Sequence, residues 1–331
     1  MATTAPLQAQ RLPPVRELEL RIRKQIEFYH PGYDSNSNLL LTLPRVDPTP
    51  SGPGYGVHHR TALLACQIIA GNAFDNSYLS LDRAGQRRVQ VSPDGILTDE
   101  GYYFICFYPI AASFRDWEFP HGRIPDWWPL VNAGPDTTMY CGITNGRHSV
   151  EQAHLVPQEE YRWYQDNDMQ QYGASGLNHV DDRAVDDRAN LIPLRRDVHC
   201  FFNAQWFAIV PKIVTTNSSP QPSLQYVTHI ITNAAADIIS NNAGELWHTY
   251  QNTVVESLSH VHHAYLFARF AWAILSQAEL FVTAAPNRHV IRISTDADGK
   301  IGYTTEYMTS PPNTKKRKAE DAPEDEDSVA E

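Results

Sequence analysis

The sequence predicts an α+β chain. A short strand–strand–helix unit sits between an N-terminal α+β region and a C-terminal, mainly helical region, with a polar tail closing the chain. Three observations carry this. Short apolar runs in the first third are broken by Asp, Gly and Pro turns. An Asn145-Gly146 pair, whose residues both tolerate positive φ, stands between two strand-like runs. A dense apolar run, AYLFARFAWAIL at 264–275, has the length of a buried helix.

The elements follow in order. Residues 1–14 are expected to form a disordered arm. From Val15, Leu18, Leu20 and Ile22 alternate with charged residues, which suggests a strand. HPGYDSNSN is a turn-rich break, residues 39–43 a short strand, and 47–55 a loop. A helix is expected over 61–70, and short strands near Tyr78, 89–91, Ile96 and 102–108. Residues 15–137 thus form an accessory α+β region, ending in a connector at 113–137 rich in Pro, Trp and Asp.

The compact unit occupies 138–212. Strands are expected over 139–144 and 149–156. Pro193 can open a helix that runs over 194–203, and residues 206–210 form a closing strand. TTNSSPQPS reads as a linker or loop. Residues 213–306 are read as mainly helical, with a hairpin over 287–306 turning on residues 296–299. Residues 307–331 form a disordered tail.

With 331 residues and 42% hydrophobic content, the chain can bury one large core or two ordinary ones. Its net charge is -11. The tail from Thr314 carries seven acids and four bases, leaving -8 on the body. Any nucleic-acid site must therefore be a local basic cleft or use a metal ion to offset the field. The four cysteines form no CxxC pair and no disulfide framework. The N-terminus lacks an apolar secretory core, and the longest apolar stretch, 265–285, is interrupted by Arg269, Gln277 and Glu279. A reducing intracellular setting without membrane partners is expected.

The chemistry concentrates in two segments of the compact unit. Ala153-His-Leu-Val-Pro157 ends its second strand, and Asn190-Leu-Ile-Pro-Leu-Arg-Arg-Asp-Val-His199 enters its helix. Together they resemble the HNH nuclease family, in the branch seen in many fungal proteins, over residues 139–212. A weaker likeness extends to HPGYDSNSNLLL and YLFARFAWAIL. The resemblance implies a ββα-metal fold and a metal-dependent endonuclease that hydrolyses phosphodiester bonds, in DNA by expectation.

Such hydrolysis needs a base to activate water and a divalent cation to stabilise developing charge. The resemblance makes His154 the general base, Asn190 the residue that orients it or ligates the metal, and His199 a metal ligand. Asn203, at i+4 from His199, projects from the same helical face and joins the metal site. The ion expected is Mg²⁺ or Mn²⁺, with Zn²⁺ as the alternative. Arg195 and Arg196 either grip phosphate or form a solvated helix face paired with Asp186 or Asp187.

The segment departs from the family in two places. Position 203 is a neutral Asn, a weaker donor to a hard cation. Ala153 stands where several branches place an Asp or His ligand. Glu151, Asp197 or the substrate phosphate can compensate. The competing reading is an inactive scaffold that keeps the fold as a nucleic-acid or protein interaction module. The remaining histidines read as packing or surface groups: His58 and His59 are adjacent and face opposite ways on a strand, and His260, His262 and His263 lack a metal spacing.

Two further features stand out. VDDRA occurs in tandem at 180–184 and 185–189, too short to be a folding unit, and lengthens the loop that feeds Asn190. In the tail, Lys315, Lys316, Arg317 and Lys318 form a basic cluster that an import receptor can read, which implies a nuclear location, and otherwise a cytoplasmic one.

Overall fold

The computed structural model describes residues 25–50, 52–106, 110–111, 113–131, 139–174, 184–216, 219–231, 250–256, 258–283, 288–295 and 301–308. The expected arm, the strand at 18–22, the first VDDRA copy up to residue 183, the turn at 296–299 and the basic tail lie outside these residues.

The N-terminal region is built on β1 (Gln25–Tyr29), β2 (Leu39–Pro44), β3 (Asp47–Pro48), β4 (Tyr55–His58), β5 (Tyr78–Ser80), β6 (Ile96–Leu97), β7 (Gly101–Ile105) and β8 (Ile110–Ala111). One sheet has the order β2-β1-β7-β5, with β1 antiparallel to β2 and parallel to β7. A second, β3-β4-β6, holds the approach of β4 to β6 with Gly56: a Cβ there would lie 2.0 Å from the Leu97 carbonyl oxygen. Helix α1 (His59–Ile69) buries Ala62, Leu64, Ala65, Ile68 and Ile69, and ends where Gly71 and Asn72 take positive φ.

The middle of the chain contains β9 (Val150–His154), helix α2 (Tyr161–Asp166), β10 (Leu191–Arg195) and helix α3 (Arg196–Asn203). A long hairpin follows, β11 (Phe207–Thr216) antiparallel to β12 (Ser219–Ile230). Helix α4 (His263–Thr283) then crosses the molecule. Its residues 264–275 are buried all round, as a central helix must be, and it packs against β11, α1 and β2. The final hairpin, β13 (Arg288–Thr295) with β14 (Ile301–Met308), joins β8 in a three-stranded sheet. Among the described residues no helix is long and apolar enough to cross a membrane.

Several expectations are corrected here. Among the described residues from 213 onward, helix does not predominate: α4 stands between two strand hairpins. Most of TTNSSPQPS is strand rather than linker or loop: residues 215–216 end β11 and residues 219–223 begin β12, with a ladder that reaches Thr216 and Ser219. The connector is core. Its aromatic residues Trp117, Phe119 and Trp128 are buried, and Trp117 stacks on Trp163 at 5.8 Å between ring centroids.

One buried polar network ties the N-terminal region to the hairpin. Lys212 Nζ donates to Asp47 Oδ1 at 2.6 Å and to Asn252 Oδ1 at 2.9 Å, and lies 3.0 Å from His229 Nδ1. The His58 backbone N–H donates to Asp47 Oδ2 at 2.9 Å, and the Gln251 amide to Asp47 Oδ1 at 2.9 Å. Against the opposing cost of burial, the Lys212 ammonium holds the Asp47 carboxyl well below its usual range. Burial pushes the Lys212 amine down and the His58 and His229 imidazoles each down to about 3.

Candidate active site

β9 pairs antiparallel with β10, with His154 opposite Leu191, Ala153 opposite Ile192 and Arg195 opposite Val150. The α3 helix follows β10 directly, so the unit is strand, insertion, strand, helix. Residues 139–144 are not the partner strand. They form a turn in which the Cys141 N–H donates to the Gly146 carbonyl at 2.9 Å and Asn145 takes φ 54°. The Asn-Gly signal was sound as a turn signal but joined no hairpin. Instead the Gly142 N–H donates to the Pro193 carbonyl at 2.8 Å, and Pro193, lacking an N–H, sits within β10 rather than opening a helix. A Cβ at Gly142 would lie 2.8 Å from the Glu256 carbonyl oxygen, so only glycine fits between β10 and the 250–256 segment.

The inward residues of the unit are apolar: Ala153, Leu155, Val156, Ile192, Leu194, Val198 and Phe202 are buried. Burial fixes the register, and with it the placement of the polar groups. His199 and Asn203 lie one helical turn apart on α3, as their spacing predicts. His199 Nδ1 is 3.0 Å from Glu151 Oε2, and its Nε2 is 3.1 Å from the Asn203 amide nitrogen. Arg196 Nε approaches the other oxygen of Glu151 at 3.8 Å.

His154 ends β9. Its Nε2 is 2.8 Å from Asp186 Oδ1, and the Gln158 amide donates to that same oxygen at 2.6 Å. The chain pins Asp186 from both sides. The Tyr164 hydroxyl donates to the Ala184 carbonyl at 3.0 Å, Val185 is buried, and Asp187 Oδ1 accepts from the Ala189 N–H at 2.8 Å to cap the turn at Arg188–Asn190. The second VDDRA copy therefore builds part of the site.

Asn190 is wholly buried. Its Oδ1 accepts from the Val156 N–H at 2.8 Å, and its Nδ2 donates to the Val156 carbonyl at 3.0 Å and the Val185 carbonyl at 2.8 Å. The expectation that it bonds the His154 ring is corrected: its amide is spent on main chain beyond β9. It holds the His154 strand end and the Asp186 turn together, so its influence on the imidazole is indirect. Among the four expected residues, the structure brings His199 and Asn203 together and places His154 and Asn190 at the neighbouring strand end.

Arg195 does not pair with Asp186 or Asp187. It grips Asp197 through two hydrogen bonds of 2.7 and 2.6 Å, which hold the Asp197 carboxyl below its usual range and push the guanidinium up. Arg196 is the more exposed arginine and has only the long contact to Glu151. Sequence reasoning gave no role to Gln158, and expected Asp186 on an arginine rather than on the histidine. The signal for Asp186 was its place in the repeat just before Asn190. The signal for Glu151 was its parity with Ala153, which puts it on the strand face toward α3.

The other histidines are packing groups. His58 Nδ1 meets Thr61 Oγ1 at 2.8 Å while His59 Nδ1 meets the Val91 carbonyl at 3.0 Å. His260 Nε2 meets the Leu191 carbonyl at 3.0 Å, and His262 stacks on Tyr172. The four cysteines are free thiols. Among the described residues no three His, Cys, Asp or Glu side chains are gathered to hold an ion. The side chains beside His199 that could contribute to an ion are the Glu151 carboxylate and the Asn203 amide.

The unit is an antiparallel strand pair leading into a short helix, with one histidine at a strand end and one on the helix. Residues 139–210 match the family model described as HNH endonuclease, and the chain carries an HNH domain over this segment. No curated protein and no solved structure matches the chain.

Proposed function

We propose that the HNH domain hydrolyses phosphodiester bonds in DNA with a divalent cation, and that His154 is its general base. The contact between His154 and Asp186 carries this reading. With Nε2–H donated to the carboxylate, Nδ1 holds the lone pair, and a fixed tautomer on an oriented ring is what proton abstraction from water needs. The water oxygen attacks phosphorus as Nδ1 of His154 takes its proton, the P–O bond to the sugar breaks, and the leaving sugar oxygen takes up a proton from solvent.

His199 has the complementary arrangement. Donation from Nδ1–H to Glu151 leaves the Nε2 lone pair for an ion, the pattern of an imidazole ligand backed by a carboxylate. Asn203, turned to present its amide oxygen, adds a second donor beside it. Two protein donors suit Mg²⁺ or Mn²⁺, which keep water and take up phosphate oxygens, better than Zn²⁺, which takes at least three protein ligands. A bound cation would neutralise charge on the pentacovalent phosphorus and on the leaving oxygen. Arg196 supplies a phosphate contact at the rim.

The test is nicking of supercoiled plasmid with each divalent cation by the wild type and by His154→Ala and His199→Ala. Cation-dependent nicking lost in both variants supports the reading, and equal nicking in all three proteins overturns it. An RNA substrate cleaved in preference to the plasmid would correct the substrate class. A second reading, a scaffold that binds nucleic acid without cutting it, is favoured by the neutral Asn203 and by the lack of a three-acid or histidine group among the described residues. Retention of DNA without nicking would establish it. The basic cluster at 315–318 is proposed to direct import into the nucleus. A fluorescent fusion with those four residues changed to Ala should lose nuclear enrichment.

A further inference from the structure

Arg269 lies on α4, outside the segment that matches the HNH family, and is 1% exposed. A buried guanidinium is costly unless its donors are used. Its Nη1 donates to the Leu155 carbonyl at 3.4 Å, and its Nη2 donates to the Phe202 carbonyl. Its plane lies over the Phe202 ring at 3.7 Å and the Trp272 ring at 4.5 Å. Burial pushes the group down to about 9.

The two carbonyls are informative. Leu155 follows His154, where the β9–β10 ladder ends and its carbonyl has no strand partner. Phe202 precedes Asn203 in the last turn of α3, where its carbonyl also accepts from the Gln205 N–H at 2.9 Å and a cation at the helix C-terminus is favourable. One rigid fork therefore spans the main chain behind the base and the main chain behind the ion-binding turn.

We propose that Arg269 is a positioning residue of the nuclease site, fixing the separation between the His154 strand end and the His199–Asn203 turn. The inference rests on the nuclease reading above and extends the site to a helix beyond the HNH segment. Arginine is required because lysine cannot bridge two carbonyls with a planar fork.

The experiment uses the full chain with Arg269→Lys and Arg269→Met. Single-turnover nicking separates positioning from folding. A positioning role lowers the rate constant by about 10²-fold at full reaction amplitude, as a displacement near 1 Å does. A purely structural role lowers the amplitude and leaves the rate constant unchanged. In parallel, the imidazole resonances of His154 and His199, assigned from the two histidine variants, are followed in both Arg269 proteins. Shifts in both rings are expected. Unmoved rings, or a wild-type rate constant in folded Arg269→Lys, would overturn the proposal, and Arg269→Lys decides alone if Arg269→Met does not fold. Should the wild type fail to cut DNA, the nuclease reading fails, while the ring resonances still test whether Arg269 sets the two histidines.

Discussion

Asp186 places a carboxylate oxygen 2.8 Å from Nε2 of His154, and that oxygen is already held by Gln158. The pair joins the end of β9 to the turn that precedes β10. In the proposed mechanism this contact sets which imidazole nitrogen carries the proton, and so which one acts as the base.

Asp186→Asn is therefore expected to lower the nicking rate by about 10²-fold or more, since an amide can donate to Nε2 and favour the other tautomer. Stability should change by less than about 1 kcal/mol, because the pair is partly exposed. Nicking kinetics beside a thermal melt check both halves. A large loss of stability would mean that the residue acts through the fold.

Glu151→Gln should weaken divalent-ion binding by about 10- to 100-fold, the usual effect of losing the carboxylate behind an imidazole ligand. Asn203→Asp should act oppositely, adding a charged oxygen beside His199. Titration of Mn²⁺ by calorimetry reads the two directly. Identical affinity in all three proteins would remove this turn from the ion site.

Asn190→Ala should cost about 2–4 kcal/mol, because it orphans the Val156 N–H and a share of the Val156 and Val185 carbonyls in a buried place. Urea unfolding measures it. A mild effect would show that water replaces the amide.

Acid should unfold the protein in a window set by His58 and His229. Both are held near 3 in the folded chain, while an unfolded imidazole titrates near its ordinary value. Between those limits the unfolded chain binds more protons, so stability is present above about pH 6.5 and falls as pH drops toward 3. The slope is about 1.4 kcal/mol per pH unit for each histidine. Asp47, depressed by Lys212, adds a further loss as pH falls below about 4, its unfolded value. Melts from pH 7 to 4 on the wild type and His229→Gln test this, and an unchanged slope in the variant would remove His229 from the account.

Much of the site was readable from residue spacing. His199 and Asn203 share a helix face because i and i+4 must, and the helix end at residue 203 follows from the apolar face of Val198 and Phe202. The pairing of β9 was not readable, since residues 139–144 and 191–195 are both short and apolar and only tertiary packing chooses between them. Asn190 was read for its chemistry, yet burial turned its amide to the main chain. Helical character was overestimated after residue 213 because β12 carries a Pro-rich start that obscures its alternation. The Asp47–Lys212 pair joins residues 165 positions apart and leaves no local trace.

The turn that presents Asp186 is held largely through the backbone: Tyr164 and Asn190 take carbonyls of residues 184 and 185, which any amino acid supplies. The same five letters stand immediately upstream. Loss of either copy from the gene yields one and the same shorter protein, still reading VDDRAN into β10 and still offering an aspartate to His154. A five-residue contraction of the repeat therefore leaves the acid beside the imidazole encoded in the sequence.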